Sequence, residues 1–593
     1  MTGGLIGIVT YACSDLYLTG SPQITLFKSV YRRHTNFAVE SVRVDFNESL
    51  NFGEETELIL QDVGDCVGQI YLEINIPETY FTKMDIGIDE EDIEEVPYDS
   101  EYEDSYNTVL QFMELNMKAY RVGIDNYNAE NTTANDILIN MQQVFADASV
   151  TDGRGSSGVD VKLEAYRLLV DSYVASGDLP LLNTDLNVVS DNLLNSTGVT
   201  KGQILIRMND VIRNCKIYQK FFFDRYQTYL KTYEDANSKI LKFAWVNKLG
   251  HSIIDYIDVY LGGEKIDRHD GRFIDVWHEL NGNKYLEKTY SEMIGNVSSL
   301  TTFDKSVKPA YKLILPLQFW FCRRMGSALP RVAMEYSKLS LKIKLKPIEK
   351  CCYVENVSDY DINLSDIWTD KGYYLNCNLL VDYIFLDSME RRKFAQSAHE
   401  YLIEVVESYN MNDITKDKYR LTFDFTNPSK QLIWVFQKTA YLQNDNSITK
   451  TYPTNYALNS DGTGQIMQRF GFYLNGYTLV PESIGTPKFV NYLHPYYRQK
   501  TTPAVGVYNY NFSLHPKEMQ PSSACNFTSI SEPAFYFTFD PNAFTYKLSD
   551  IYPHIVKDSV DDAEMTTTLE GQLYSVKMTV LRIIGGFAGV AIK

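Results

Sequence analysis

The chain has 593 residues, with 56 Lys+Arg against 76 Asp+Glu and a formal net charge of -20. Its 44% apolar and 22% charged residues exclude disordered, collagen-like and coiled-coil chains. Acidity of this size argues against a nucleic-acid binder, because it repels a phosphate backbone. The 44 Tyr and 30 Phe are strand formers and lean the composition toward β.

The opening MTGGLIGIVTYA lacks a basic leader region, so residues 1–37 are expected to form an ordered arm and not a signal peptide. Gln69–Ile76 alternates strictly: Ile70, Leu72, Ile74 and Ile76 face in, while Tyr71, Glu73 and Asn75 face out. Residues 85–104 then hold 11 Asp+Glu and no Lys or Arg, a pattern expected of a solvated, self-repelling surface loop. From about Lys83 to Ile240 the apolar period shifts toward 3.6. One helical stripe runs through Val161, Leu163, Tyr166, Leu169, Val170 and Tyr173. A second takes Ile204, Met208, Val211, Ile212, Cys215, Tyr218 and Phe222.

Beyond the insertion the β signal returns. Gly262–Gly263 separates DVYL from EKID, and Asn475–Gly476 separates FGFYL from YTLV; both dipeptides suit two-residue type I′ hairpins. Leu341–Lys346 alternates apolar residues with lysine. Leu421, Phe423 and Phe425 share a face, as do Phe535, Phe537 and Phe539, and Tyr508, Tyr510, Phe512 and Leu514 are expected to do the same. One-face burial of this kind marks antiparallel sheets packed as sandwiches. Residues 38–82 with 241–346 make a first β unit and 377–593 a second, with 83–240 inserted in the first and 347–376 as a linker. Each unit is long enough for an eight-stranded jelly roll. The fold expected is mainly β: two tandem eight-stranded antiparallel jelly rolls, a double jelly roll with a large, mostly helical acidic insertion.

Chemistry-bearing motifs are scarce. There is no P-loop, no dinucleotide fingerprint, no H-E-x-x-H and no G-x-S-x-G. The eight Cys include no C-x-x-C, so neither a disulfide framework nor a zinc ribbon is expected, and no apolar run reaches the 18 residues of a membrane span. His251, His269 and His278 are the nearest His group. Asp267, His269 and Asp270 are read as turn chemistry in preference to a metal site. Two short basic clusters with aromatic neighbours, Arg32-Arg33-His34 and Arg323-Arg324, are the candidate interface residues, since Arg and aromatics are enriched at subunit contacts. Trp245, Trp277, Trp320 and Trp434 are expected in the core. No catalytic, cofactor-binding or metal residue is assigned, no cofactor is expected, and the chain is read as a non-enzyme.

Several long stretches carry a resemblance. DLYLTGSPQITLFKSVYRRHTNF (Asp15–Phe37), WVNKLG (Trp245–Gly250), DVYLGGEKIDRHDG (Asp258–Gly271) and LPLQFWFCRRMGSALPRVAMEY (Leu315–Tyr336) come first. VDYIFLDSMERRKFAQSAHEYLIE (Val381–Glu404) and the terminal LRIIGGFAGVAIK (Leu581–Lys593) follow. In this order they resemble the major capsid proteins of nucleocytoplasmic large DNA viruses, most like those of the mimivirus group; residues 83–240 depart from the compact members. The resemblance implies a structural capsid protein of a giant virus, forming pseudo-hexagonal homotrimeric capsomers that tile an icosahedral shell. Its partners would be neighbouring capsomers, minor capsid or penton proteins, an underlying internal membrane and surface fibres, without direct nucleic-acid contact. Its place would be the virion, assembled in the host cytoplasm. The alternatives are a double-jelly-roll assembly scaffold, a minor capsid paralogue, or a carbohydrate-active β-sandwich enzyme or lectin.

Overall fold

The computed structural model describes residues 16–29, 31–46, 50–86, 96–128, 201–355, 363–442, 449–552 and 561–591, with isolated positions 6, 9, 10, 13, 88, 139, 140, 555 and 559. Two compact units result, one of residues 1–80 with 243–593 and one of residues 81–242.

The first unit contains two β sandwiches. The strands of the first are β1 (Phe37–Asp45), β2 (Glu55–Ile59), β3 (Cys66–Ile76), β4 (Ile254–Leu261), β5 (Glu264–Asp270), β6 (Tyr311–Pro316), β7 (Leu339–Leu345) and β8 (Asn376–Leu386). Those of the second are β9 (His399–Ile414), β10 (Lys418–Thr422), β11 (Pro428–Lys438), β12 (Met467–Leu474), β13 (Tyr477–Val480), β14 (Tyr508–Asn511), β15 (Pro533–Phe539) and β16 (Leu569–Ile584). The first sandwich pairs β1-β8-β3-β6 in one sheet and β2-β7-β4-β5 in the other; the second pairs β9-β16-β11-β14 and β10-β15-β12-β13. Counted within each sandwich, both read 1-8-3-6 and 2-7-4-5, and every pairing is antiparallel. This is a jelly roll, present twice in one chain.

Local chemistry explains the shared elements. The fourth and fifth strands of each sandwich are joined by the two dipeptides singled out above, with positive φ at Gly262 (58°), Gly263 (85°), Asn475 (51°) and Gly476 (80°). A type I′ turn requires that backbone at both central positions. Aromatic residues fill the second core: Trp434, Phe436, Phe470, Phe472, Phe535, Phe537 and Phe539 are all buried together. Trp245, Trp277, Trp320 and Trp434 lie inside, none more than 6% exposed.

Three sequence expectations change. The expected boundary at 377 puts strand β8 at the start of the second jelly roll. It runs between β1 and β3, with Val42 opposite Val381 and Leu72 opposite Leu379, and so closes the first sandwich. The second begins after the helix Ser388–Gln396, at His399. The segment 347–376, read as a linker, also contributes structure: Cys352–Val354 pairs with Phe243–Trp245, and Leu364–Asp370 is helical. The alternation assigned to 508–514 holds for Tyr508, Tyr510 and Phe512, which all pack on the second core, and fails at Leu514. The strand stops at Asn511, where Asn509 and Asn511 are buried, while Leu514 is 51% exposed. This sheet is covered on both faces, so its polar positions are buried as well.

In the second unit, helices Ser100–Asn128 and Lys201–Asn237 pair antiparallel. Tyr98 meets Tyr229 and Tyr233, while Tyr106, further along, stacks on Tyr226 at 4.8 Å and meets Phe223. Met208, Val211, Cys215, Tyr218 and Phe222 of the expected stripe are buried. The stripe from Val161 to Tyr173 and most of the acidic run lie outside the described residues.

Candidate functional site: the seam between the sandwiches

A helix absent from the sequence reading holds the two sandwiches together. Gly271–Asn281 follows β5 directly, and Asp270 caps it by accepting from Phe273 N at 2.6 Å. Phe273, Val276, Trp277 and Leu280 recur at helical spacing and form one face. That face packs on Ile433, Val435, Tyr456, Val507, Tyr574 and Val576 of the second sandwich. The N-cap Asp followed by this i, i+3, i+4, i+7 pattern was the available signal; the adjoining hairpin masked it.

Polar groups frame the apolar contact. Asp270 also accepts from Tyr574 OH at 2.8 Å and from Gln572 Nε2 at 3.0 Å. Asp267 Oδ1 accepts from Val406 N on β9 at 2.9 Å. The Asp267, His269, Asp270 cluster is thus part of the seam, with His269 stacked on Phe319 at 4.3 Å. No group able to hold a metal occurs among the described residues. Deeper in, Asp275 is fully buried. It takes Lys248 Nζ at 2.8 Å and His251 Nδ1 at 3.0 Å from its own sandwich, and Tyr456 OH at 2.9 Å from the other. Burial opposes its charge, but the Lys248 ammonium and His251 outweigh that and hold the carboxyl below the usual carboxylate range. Glu279 accepts from Lys248 at 2.9 Å and from Ala504 N at 3.1 Å, and is likewise held low against its burial.

Of the expected interface residues, Arg323 lies in this seam. Its guanidinium sits 4.0 Å from the centre of the Trp277 ring and donates to Glu404 Oε2 at 2.7 Å and to Gln318 O at 2.7 Å. Glu404 belongs to β9 of the same molecule, so this contact joins the two sandwiches of one chain. Arg324 is exposed and donates to Lys517 O at 2.7 Å. Arg32, Arg33 and His34 are exposed on the arm before β1, and among the described residues His34 meets local partners, Thr35 O at 2.7 Å and the Phe37 ring. The structure does not bring the two basic clusters together.

Loop contacts fix the relative direction of the sandwiches. In the first, Phe52 stacks on Trp245 at 5.9 Å and Trp368 Nε1 donates to Asn51, so the β1–β2, β3–β4 and β7–β8 connections share one end. In the second, Asp550 accepts from Tyr441 and Ser460, joining the β15–β16 and β11–β12 connections at one end. These two ends lie on the same side, where Lys450 Nζ is 5.9 Å from the Tyr353 ring. At the opposite, hairpin end Tyr336 N donates to Gly586 O at 2.9 Å and Ala588 N to Ser337 Oγ at 2.9 Å. The sandwiches therefore stand side by side and point the same way. The β1 strand starts opposite the end of β8, so the arm leaves from the hairpin end.

Comparison with known proteins agrees with this geometry. The family model described as the major capsid protein N-terminus matches residues 25–96 and 196–387. The one described as the large eukaryotic DNA virus major capsid protein matches 390–589. The break between the two falls after β8, where the sheets also divide. The chain is 22% identical to the major capsid protein of Phaeocystis pouchetii virus, over 100% of this chain and 99% of that one. It is 25% identical to capsid protein 1 of Acanthamoeba polyphaga mimivirus over 73% of this chain and 49% of the relative. The PBCV-1 virus capsid structure superposes with a TM-score of 0.55 at 17% identity, covering 96% of this chain and 100% of that one, which shows the double-jelly-roll fold. The chain belongs to the major capsid proteins of large eukaryotic DNA viruses, and is a structural protein of the virion shell.

Proposed function

We propose that the chain forms homotrimeric capsomers of pseudo-hexagonal outline that tile an icosahedral shell. The observation that carries this reading is the side-by-side pair of jelly rolls with the same strand order and the same direction. Three such chains around an axis present six similar lobes, and a ring closed by heterologous contacts needs two different complementary surfaces per chain. A contact that permanent buries roughly 2,000–5,000 Å². The seam supports the same role, since a tile must keep its two lobes in fixed register.

The arm is the proposed tether, with Arg32, Arg33 and His34 in its interface. It exposes Tyr17 (93%), Leu26 (86%), Phe27 (99%) and Tyr31 (81%). Apolar surface so fully exposed marks a site covered in the assembly, and we assign its cover to a neighbouring copy of the chain. The insertion, 83–240, is assigned to the outer surface, where fibres or glycans attach. Minor capsid or penton proteins and an internal membrane would adjoin the shell, and assembly would take place in the host cytoplasm. The protein is read as having no catalytic step.

Native mass measurement of the purified chain tests the trimer: a species of three times 68.1 kDa is expected. A monomer at high concentration overturns it, and glycan turnover by that monomer would favour the carbohydrate-active alternative. Limited proteolysis of intact particles tests the insertion, where cleavage within 83–240 is expected and protection there with other loops cut refutes the outward placement.

A further inference from the structure

A cleft of about 460 Å³ opens between the two sandwiches at the hairpin end. Its charged lining comes from both: Arg323 and Arg324 from the β6–β7 connection, Glu404 from β9 and Lys517 from the β14–β15 connection. Three cations thus face one carboxylate, in a chain whose net charge is -20.

That carboxylate is already committed. Glu404 Oε2 accepts from Arg323 Nη1 at 2.7 Å, and Oε1 accepts from Lys430, which is 3% exposed. The remaining donors are left over. Arg323 Nη2 is buried with no hydrogen-bond partner, although its Nε and Nη1 are both used. A buried, unsatisfied guanidinium N–H is unfavourable unless something fills its place. Arg324 spends one N–H on Lys517 O, and the Lys517 ammonium has no ion pair among the described residues. Burial and the nearby Lys284 charge depress the Lys517 pKa, as an uncompensated cation requires.

We propose that this cleft binds a compact, multiply charged phosphate compound that bridges Arg323 and Arg324 of the first sandwich to Lys517 of the second. Two guanidinium forks and an ammonium converging from different walls match the several oxygens of linked phosphates, where a lone carboxylate offers two. The volume is that of a small-molecule site. The bound anion offsets the cationic excess of the cleft and adds a cross-link between lobes at the end opposite Lys450 and Tyr353.

Titration calorimetry of the full-length chain with tripolyphosphate tests this, with citrate and sulfate as controls. Saturable binding of tripolyphosphate is expected, weakened about tenfold by Arg324→Ala and again by Lys517→Ala, because a hydrogen bond to a charged group is worth about a decade in affinity. Both side chains are exposed, and an unchanged thermal midpoint in the absence of anion shows that each variant keeps its fold. Absence of binding overturns the proposal, as does equal binding by the double variant. Citrate binding as tightly as tripolyphosphate overturns the assignment to phosphate.

Discussion

Glu404 Oε2 and Arg323 Nη1 lie 2.7 Å apart, and this ion pair joins a strand of the second sandwich to a loop of the first. Both side chains are largely buried, at 8% and 14% exposure, and Lys430 holds the other carboxylate oxygen. Glu404→Ala takes from Arg323 and Lys430 the carboxylate they share. Removing one member of a buried pair costs about 3–5 kcal/mol. Urea unfolding of the variant should show a loss of that size. A loss below about 1 kcal/mol would mean that water screens the seam as it does a surface ion pair.

Asp275 gives the seam a pH dependence. Its carboxyl is held below its unfolded value, so its contribution is complete above about pH 4 and is lost as pH falls through the folded value. Glu279, also lowered, acts in the same direction. Stability should fall in acid below about pH 4, more steeply for the parent than for Asp275→Asn. That variant should already be less stable by about 1–3 kcal/mol at neutral pH, because Lys248 loses one of its two carboxylates and keeps Glu279. Thermal midpoints recorded from pH 7 to pH 3 check both points; parallel curves for the two proteins would refute the assignment.

His494 acts over a different window. Burial, aided by the Arg498 charge, pushes its pKa down to about 4. The ring stacks on Tyr510 at 4.9 Å, meets Phe489 edge-on at 4.6 Å and accepts from Asn511 N at 3.4 Å through Nδ1. Folding therefore favours the neutral ring. The contribution is whole above the unfolded value, about 6.5, and is lost as pH falls from there toward about 4. The loss is on the order of 3 kcal/mol. His494→Gln should flatten the stability profile across that interval, as measured by chemical denaturation at each pH. An unchanged slope would place the ring in water.

Trp434 sits at the centre of the second core, 5.2 Å from Phe535 and 5.3 Å from Phe470 by ring centres, and is wholly buried. Trp434→Ala should cost about 3–5 kcal/mol. Trp434→Phe should cost less than half of that, since the indole Nε1 is buried without a hydrogen-bond partner and the change discards an unsatisfied donor. Equal losses for the two variants would show that the indole makes a polar contact.

What could be read from the sequence was local. Alternation in LKIKLK and AFYFTF, and positive φ at Gly-Gly and Asn-Gly, follow from residues a few positions apart. Even there Glu73, expected outside, is buried at 7% because Lys312 of the neighbouring β6 reaches it at 2.6 Å. Partners distant along the chain were not legible. Strand β8 looks like the start of the second jelly roll until its hydrogen bonds to β1, more than three hundred residues earlier, are known. The seam was hidden for a similar reason. Asp267 and Asp270 have the chemistry of a turn, and only the approach of Val406, Gln572 and Tyr574 turns them into a joint.

The arm separates folding from assembly. Residues 16–36, where described, are exposed throughout, so they add little to the stability of the chain that carries them. Deleting residues 1–36 should leave the unfolding free energy of the isolated chain within about 0.5 kcal/mol of the parent, as for other exposed surface. The same deletion should weaken self-association, because Tyr17, Leu26, Phe27 and Tyr31 then have no surface to bring to a neighbour. Arg32→Ala with Arg33→Ala should act in the same direction but more weakly, since rim charges alter the rate of encounter more than the affinity. Sedimentation velocity across a concentration series reads both effects. Trimers that form with undiminished affinity after the deletion would remove the arm from the contact between copies.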